Sequence, residues 1–129
     1  MIAVDTSVWV RWFRGGDARV RAELDRILDE DLALLPVPAR VELLAGAGAK
    51  QVDRLATLLH AVRSGAPGDQ TWARVEAWAC EGARKGTRFG MGDLLIAAVA
   101  ADAGAPLWSL DRDFEDMARL GWIELHRLT

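Results

Sequence analysis

Residues 1–9 read Met1-Ile2-Ala3-Val4-Asp5-Thr6-Ser7-Val8-Trp9, and the fold follows from this stretch. Ile2 to Val4 form an apolar run without polar alternation, the pattern of a strand buried on both faces. A strand buried in this way needs helices on either side of its sheet. Asp5, Thr6 and Ser7 end the run with side-chain oxygens that can accept from the free N–H groups of a helix start. Val8, Trp9, Trp12 and Phe13 follow at helical spacing, and Gly15-Gly16 stops the helix. The unit is strand, carboxylate, helix, with Asp5 at the strand's carboxyl end.

The unit recurs along the chain. Val20, Leu24, Ile27 and Leu28 mark a helix, and Leu32 to Leu35 form a second apolar run closed by Pro36 and Pro38. A helix is predicted from about Ala39 to Ala45, ending at Gly46 and Gly48, then another with Val52, Leu55, Leu59 and Val62 on one face. Ser64 to Asp69 is turn-rich and offers no convincing strand. Trp72, Val75, Trp78 and Ala79 mark a helix to about Gly86, followed by a loop over Thr87 to Gly92. Asp93 opens a helix that is apolar almost all round. Pro106-Leu107-Trp108 reads as a strand, Asp113 to Leu120 as a short helix, and Trp122 to Leu125 as a last strand. This alternation predicts one domain over residues 1–129, a three-layer α/β/α sandwich around a small, mainly parallel sheet. Such sheets bind ligands at the carboxyl ends of their strands, where strand order reverses.

Half the residues are hydrophobic and about a quarter are charged, which excludes long disordered segments. Cys80 is the only cysteine, so no internal disulfide is possible, and it reads as a buried, inert thiol. The first residues lack a basic stretch leading into an apolar core. The most apolar run, Leu94 to Ala101, lies between Asp93 and Asp102 and falls well short of the roughly 20 residues of a membrane span. A cytoplasmic chain without membrane segments is the expectation. The net charge is −3, which by itself disfavours a nucleic-acid partner. If four acids converge on one cation, however, the rest of the molecule carries a net +1, almost all its cations being arginine.

Four acids fall on the ligand-binding edge. Asp5 and Asp111 each follow a strand, Asp93 stands at a helix start behind Gly90-Met91-Gly92, and Glu42 lies early in the helix after the second strand. Singly, Asp5 and Asp93 read as helix caps, Glu42 as a solvated helix residue, and Asp111 as a turn residue. Together they crowd like charges at a cost of several kcal/mol unless a cation neutralises them. Oxygen-only ligands select Mg2+ or Mn2+ over Zn2+. His60 and His126 read as structural or solvated. Such an ion suits phosphodiester hydrolysis.

At this point the residues resemble a known family. The segments Met1 to Trp9, Glu42 in its helix, Gly92-Asp93-Leu94-Leu95-Ile96-Ala97-Ala98, and Leu107-Trp108-Ser109-Leu110-Asp111-Arg112-Asp113-Phe114 are similar, in order, to a PIN domain. The likeness is to the VapC toxins of bacterial toxin–antitoxin pairs. It implies a Mg2+- or Mn2+-dependent endoribonuclease, with Asp5 and Asp93 as primary metal ligands and Glu42 and Asp111 completing the acidic site. It further implies that Ser7 touches a metal water or phosphate, that the protein forms a homodimer, and that a VapB-type antitoxin blocks the site. Ser109 stands where the family usually has threonine, which keeps the hydroxyl.

Arg11, Arg14, Arg40, Arg84, Lys85, Arg88 and Arg112 are candidate phosphate contacts, and Arg40 and Arg112 are nearest the acids in sequence. Trp9 and Trp12 read as core or interface residues. A dehalogenase-like phosphatase would need an acid where Ser7 stands. A phospho-accepting receiver would need a lysine after a late strand, where neither Lys50 nor Lys85 lies. A DNA-directed nuclease calls for more acids and a larger domain. The alternative that survives is a catalytically inactive PIN-like module acting only by binding, which predicts a missing acid.

Overall fold

The computed structural model describes residues 1–128. Its elements follow in the order β1 (Ile2–Val4), α1 (Thr6–Arg14), α2 (Ala18–Asp29), β2 (Ala33–Pro36), α3 (Val37–Ala45), α4 (Val52–His60), β3 (Ser64–Gly65), α5 (Asp69–Arg84), α6 (Met91–Asp102), β4 (Leu107–Trp108) and α7 (Asp113–Arg119). The four strands lie in the order β3-β2-β1-β4. Every pairing is parallel, with Ile2 opposite Ala33, Val4 opposite Trp108, and Leu35 opposite Ser64. The chain goes from β1 to β2 on one side and reaches β4 on the other, so strand order reverses between β1 and β4. Ligands of parallel sheets bind at that reversal.

The core explains the pattern read from the first residues. Ala3 and Val4 are fully buried, and so are Leu35 and Leu107 in the flanking strands. Helix α6 wedges against the sheet with every residue from Leu94 to Ala100 buried, which is why its sequence is apolar all round. Trp9 and Trp108 are among the largest fully buried side chains, which agrees with the core reading of Trp9.

Several elements differ from the sequence expectation. Strand β3 forms where none was evident. Its second residue, Gly65, has no Cβ because one would lie 2.9 Å from Val99 Cγ1. Helix α3 starts at Val37, taking Pro38 into its first turn, where the missing N–H costs nothing. Helix α6 starts at Met91 with Gly90 as N-cap, so Asp93 is the third helical residue and not the cap. The expected last strand is reduced to one bridge between Leu107 and Leu125. Cys80 is exposed on α5 and not buried, because the buried face of that helix is given to Thr71, Val75, Trp78 and Gly82. Among the described residues, no helix is long and apolar enough to cross a membrane.

Candidate active site

The carboxyl ends of β1 and β4 are stitched together by hydroxyls. Asp5 is only 3% exposed, and its N–H donates to the Trp108 carbonyl at 2.9 Å, extending the ladder past the end of β1. Asp5 also caps α1, its Oδ2 accepting from the Ser7 N–H at 3.2 Å. The same oxygen accepts from Ser7 Oγ at 2.6 Å and from Ser109 Oγ at 2.8 Å. Each hydroxyl has one proton, and both protons are directed at Asp5. The hydroxyls in turn accept backbone N–H groups, Leu110 onto Ser7 Oγ and Asp111 onto Ser109 Oγ, both at 3.0 Å. Oδ2 is therefore saturated, and Oδ1 is the oxygen of Asp5 left for a further ligand.

The turn 109–111 held by these bonds sets Asp111. Its Oδ1 accepts from the Asp113 N–H at 3.0 Å, an Asx turn that leads into α7. Asp93, Asp111 and Asp113 each offer a carboxylate oxygen such that all three lie within 4.8 Å of one another. Asp113 is the acid that sequence reasoning did not single out, although the Asp-Arg-Asp spacing at a helix start was visible. Glu42 is exposed on α3, and its Oε1 accepts from Thr6 Oγ1 at 3.1 Å. It sits against the first turn of α6, where a Cβ on Gly92 would lie 3.9 Å from the Glu42 carboxylate atoms.

Electrostatics ties the group together. The carboxyl of Asp93 is half-buried and pushed up to about 6, first by burial and then by the charges of Asp5, Asp111, Asp113 and Glu42. Five acids thus share one field, four of them those expected. Crowded oxygen donors, one raised towards neutrality, fit a hard divalent cation, which would relieve the repulsion.

The cationic candidates divide. Arg112 is exposed at the N-cap position of α7, between Asp111 and Asp113. Arg40 precedes Glu42 by two residues on α3, and residues so spaced do not share a helix face. Neither forms an ion pair among the described residues. His126 pairs with Glu23 at 2.6 Å and lies edge-on to Trp108, while His60 is exposed. Beside Thr6 and Glu42 opens a groove of about 620 Å³ between α1, α3 and α4. Val10, Phe13, Leu55 and Leu58 line it, with Arg14 and Arg54 also in its wall.

Comparison with known proteins agrees with this architecture. Residues 2–120 match the family model described as PIN domain. The chain is 34% identical over 128 residues to Ribonuclease VapC11 of Mycobacterium tuberculosis, covering 93% of each chain. A VapC ribonuclease of Mycobacterium bovis matches to the same extent. Among solved structures, VapBC2 from Rickettsia felis, bound to a DNA fragment from its promoter, superposes with a TM-score of 0.82 at 17% identity over 100% of both chains. The sarcin-ricin loop cleaving toxin VapC20 of M. tuberculosis superposes with a TM-score of 0.71 at 20% identity, over 98% of this chain and 100% of that one.

Proposed function

The chain belongs to the PIN-domain family, and on that premise we propose that it is a divalent-metal-dependent endoribonuclease, the toxin of a VapBC-type toxin–antitoxin pair. The observation that carries the reading is the convergence of Asp5, Glu42, Asp93, Asp111 and Asp113 on one edge of the sheet, where burial first and the neighbouring charges second push the Asp93 carboxyl up to about 6. The relatives of similar sequence are ribonucleases by name, and those of similar fold include VapBC complexes.

Asp5, through Oδ1, and Asp93 would hold Mg2+ or Mn2+, with Asp111, Asp113 and Glu42 as further oxygen donors, directly or through water. A bound ion of this kind lowers the pKa of its water and offsets charge on the scissile phosphate. The chain's own residues prepare that state. Ser7 and Ser109 hold the Asp5 carboxylate in place, which makes Ser7 a positioning residue here. Thr6 orients Glu42, and Glu42 can accept a proton from an attacking water, being exposed and within the same acidic field. Arg112, exposed between Asp111 and Asp113 in the chain, suits a phosphate oxygen, while Arg40 would serve RNA on the adjoining face.

The partners of this reading are RNA, a second copy of the chain, and a VapB-type antitoxin, in the cytoplasm. The apolar groove that starts at Thr6 and Glu42 supports an antitoxin segment able to cover the acids. The test is cleavage of total RNA with Mg2+ or Mn2+, with and without chelator. Metal-dependent internal cleavage is expected, and equal cleavage in excess chelator would refute metal dependence.

A further inference from the structure

Residues 84–88 read Arg84-Lys85-Gly86-Thr87-Arg88, three exposed cations in five residues that run from the last residue of α5 into the loop before α6. The backbone of this loop is held without them. Thr87 N–H donates to the Gly82 carbonyl at 2.8 Å, and Lys85 N–H to the carbonyls of Glu81 and Gly82 at 3.1 Å. Gly82 permits this approach, since a Cβ there would lie 2.5 Å from the Thr87 carbonyl oxygen. Gly86 makes the turn at φ 75°, a conformation that favours glycine. Past the loop, Phe89 lies edge-on to Trp122 at 5.5 Å, and Trp122 stacks on Trp78 at 4.9 Å. Trp122 Nε1 also donates to Glu81 at 2.6 Å. Glu81 takes Lys85 as its ion partner at 3.2 Å. Arg84 and Arg88 form no ion pair among the described residues.

These two arginines stand on an ordered backbone at the edge where α6 begins. Arg88 is five residues before Asp93, so at most about 18 Å of extended chain separates them. An RNA strand approaching five clustered carboxylates meets repulsion, and cations beside the cluster are needed to offset it. We propose that Arg84 and Arg88 grip backbone phosphates of an RNA strand as it passes the acidic cluster. The proposal rests on the ribonuclease reading for its choice of polyanion. Guanidinium forks suit phosphate oxygens, and a loop already ordered loses little entropy on binding.

The test is fluorescence anisotropy of a labelled single-stranded RNA in Mg2+, using Asp93→Asn protein so that the strand survives. Adding R84Q and R88Q should raise Kd roughly tenfold at low salt and lower the log–log salt slope by about 1.4, at about 0.7 per phosphate on a single strand. Adding R84K and R88K instead should keep the slope, and melting temperatures should agree across the set. Unchanged Kd and slope in the glutamine variant would overturn the grip, and so would RNA that fails to bind the Asp93→Asn parent. Loop-dependent RNA binding by a wild-type protein that cleaves no RNA with metal would support the grip and refute the ribonuclease reading alone.

Discussion

At the scale of residues, the site depends on how single protons and charges are used. Ser7 Oγ gives its proton to Asp5 and accepts the Leu110 N–H. Replacing Ser7 with Ala removes both bonds and should destabilise the fold by about 1–3 kcal/mol. Urea denaturation reads that loss, and isothermal calorimetry should show weaker Mn2+ binding through a less ordered Asp5. Unchanged Mn2+ affinity would mean that Asp5 does not need the clamp. For Asp93 the folded-state pKa is raised, to about 6, so its folded state holds the proton more tightly than the unfolded chain does. The group is therefore neutral at no cost below the unfolded value of about 3.9, and its contribution is lost as pH rises through about 6. Metal-free Asp93→Asn should accordingly melt above metal-free wild type at pH 7.5 by about 2–5 °C, on the order of 1 kcal/mol after solvent screening. The difference should vanish below pH 4 in calorimetric scans. With Asp93 as a proposed metal ligand, protons would compete with the cation there, so Mn2+ affinity should also fall as pH drops through about 6.

At the scale of elements, short strands and close approaches decide what is visible. Substituting Gly82 by Ala should cost about 1–3 kcal/mol in urea denaturation, since its Cβ meets the Thr87 carbonyl at 2.5 Å. An unchanged midpoint would show that the loop yields freely. The strand β1, the helix α6 and the order of elements were legible because their apolar runs are long or distinctive. Strand β3 was not, because two residues, Ser64 and Gly65, carry no period. Gly65 pairs with Pro36 and leaves room for Val99 on α6, where a Cβ would come within 2.9 Å, a constraint that no local pattern announces. The start of α6 was misjudged because Gly90 caps it without a side-chain signal, although Asp93 still faces the acids from the first turn. Cys80 was misplaced because a helix's buried stripe depends on its neighbours, and α5 turns Val75 and Trp78 inward.

At the scale of the whole molecule, the parallel order β3-β2-β1-β4 brings together acids far apart in sequence. That convergence was predictable, since strand ends and helix starts share one edge of such a sheet. The fifth acid, Asp113, needed the turn that Asp111 makes with it, which sequence spacing alone did not reveal. A net charge of −3 concealed both the acidic cluster and the arginines outside it. A ligand selective for the folded state raises stability, so millimolar Mg2+ or Mn2+ should raise the melting temperature of wild type more than that of Asp93→Asn. The most direct test of the central claim is cleavage of RNA by wild-type and Asp93→Asn proteins across a Mn2+ titration, with folding checked by circular dichroism. Metal-dependent cleavage by wild type, reduced at least about 100-fold in the folded variant, is the predicted result. Undiminished cleavage by Asp93→Asn would contradict it.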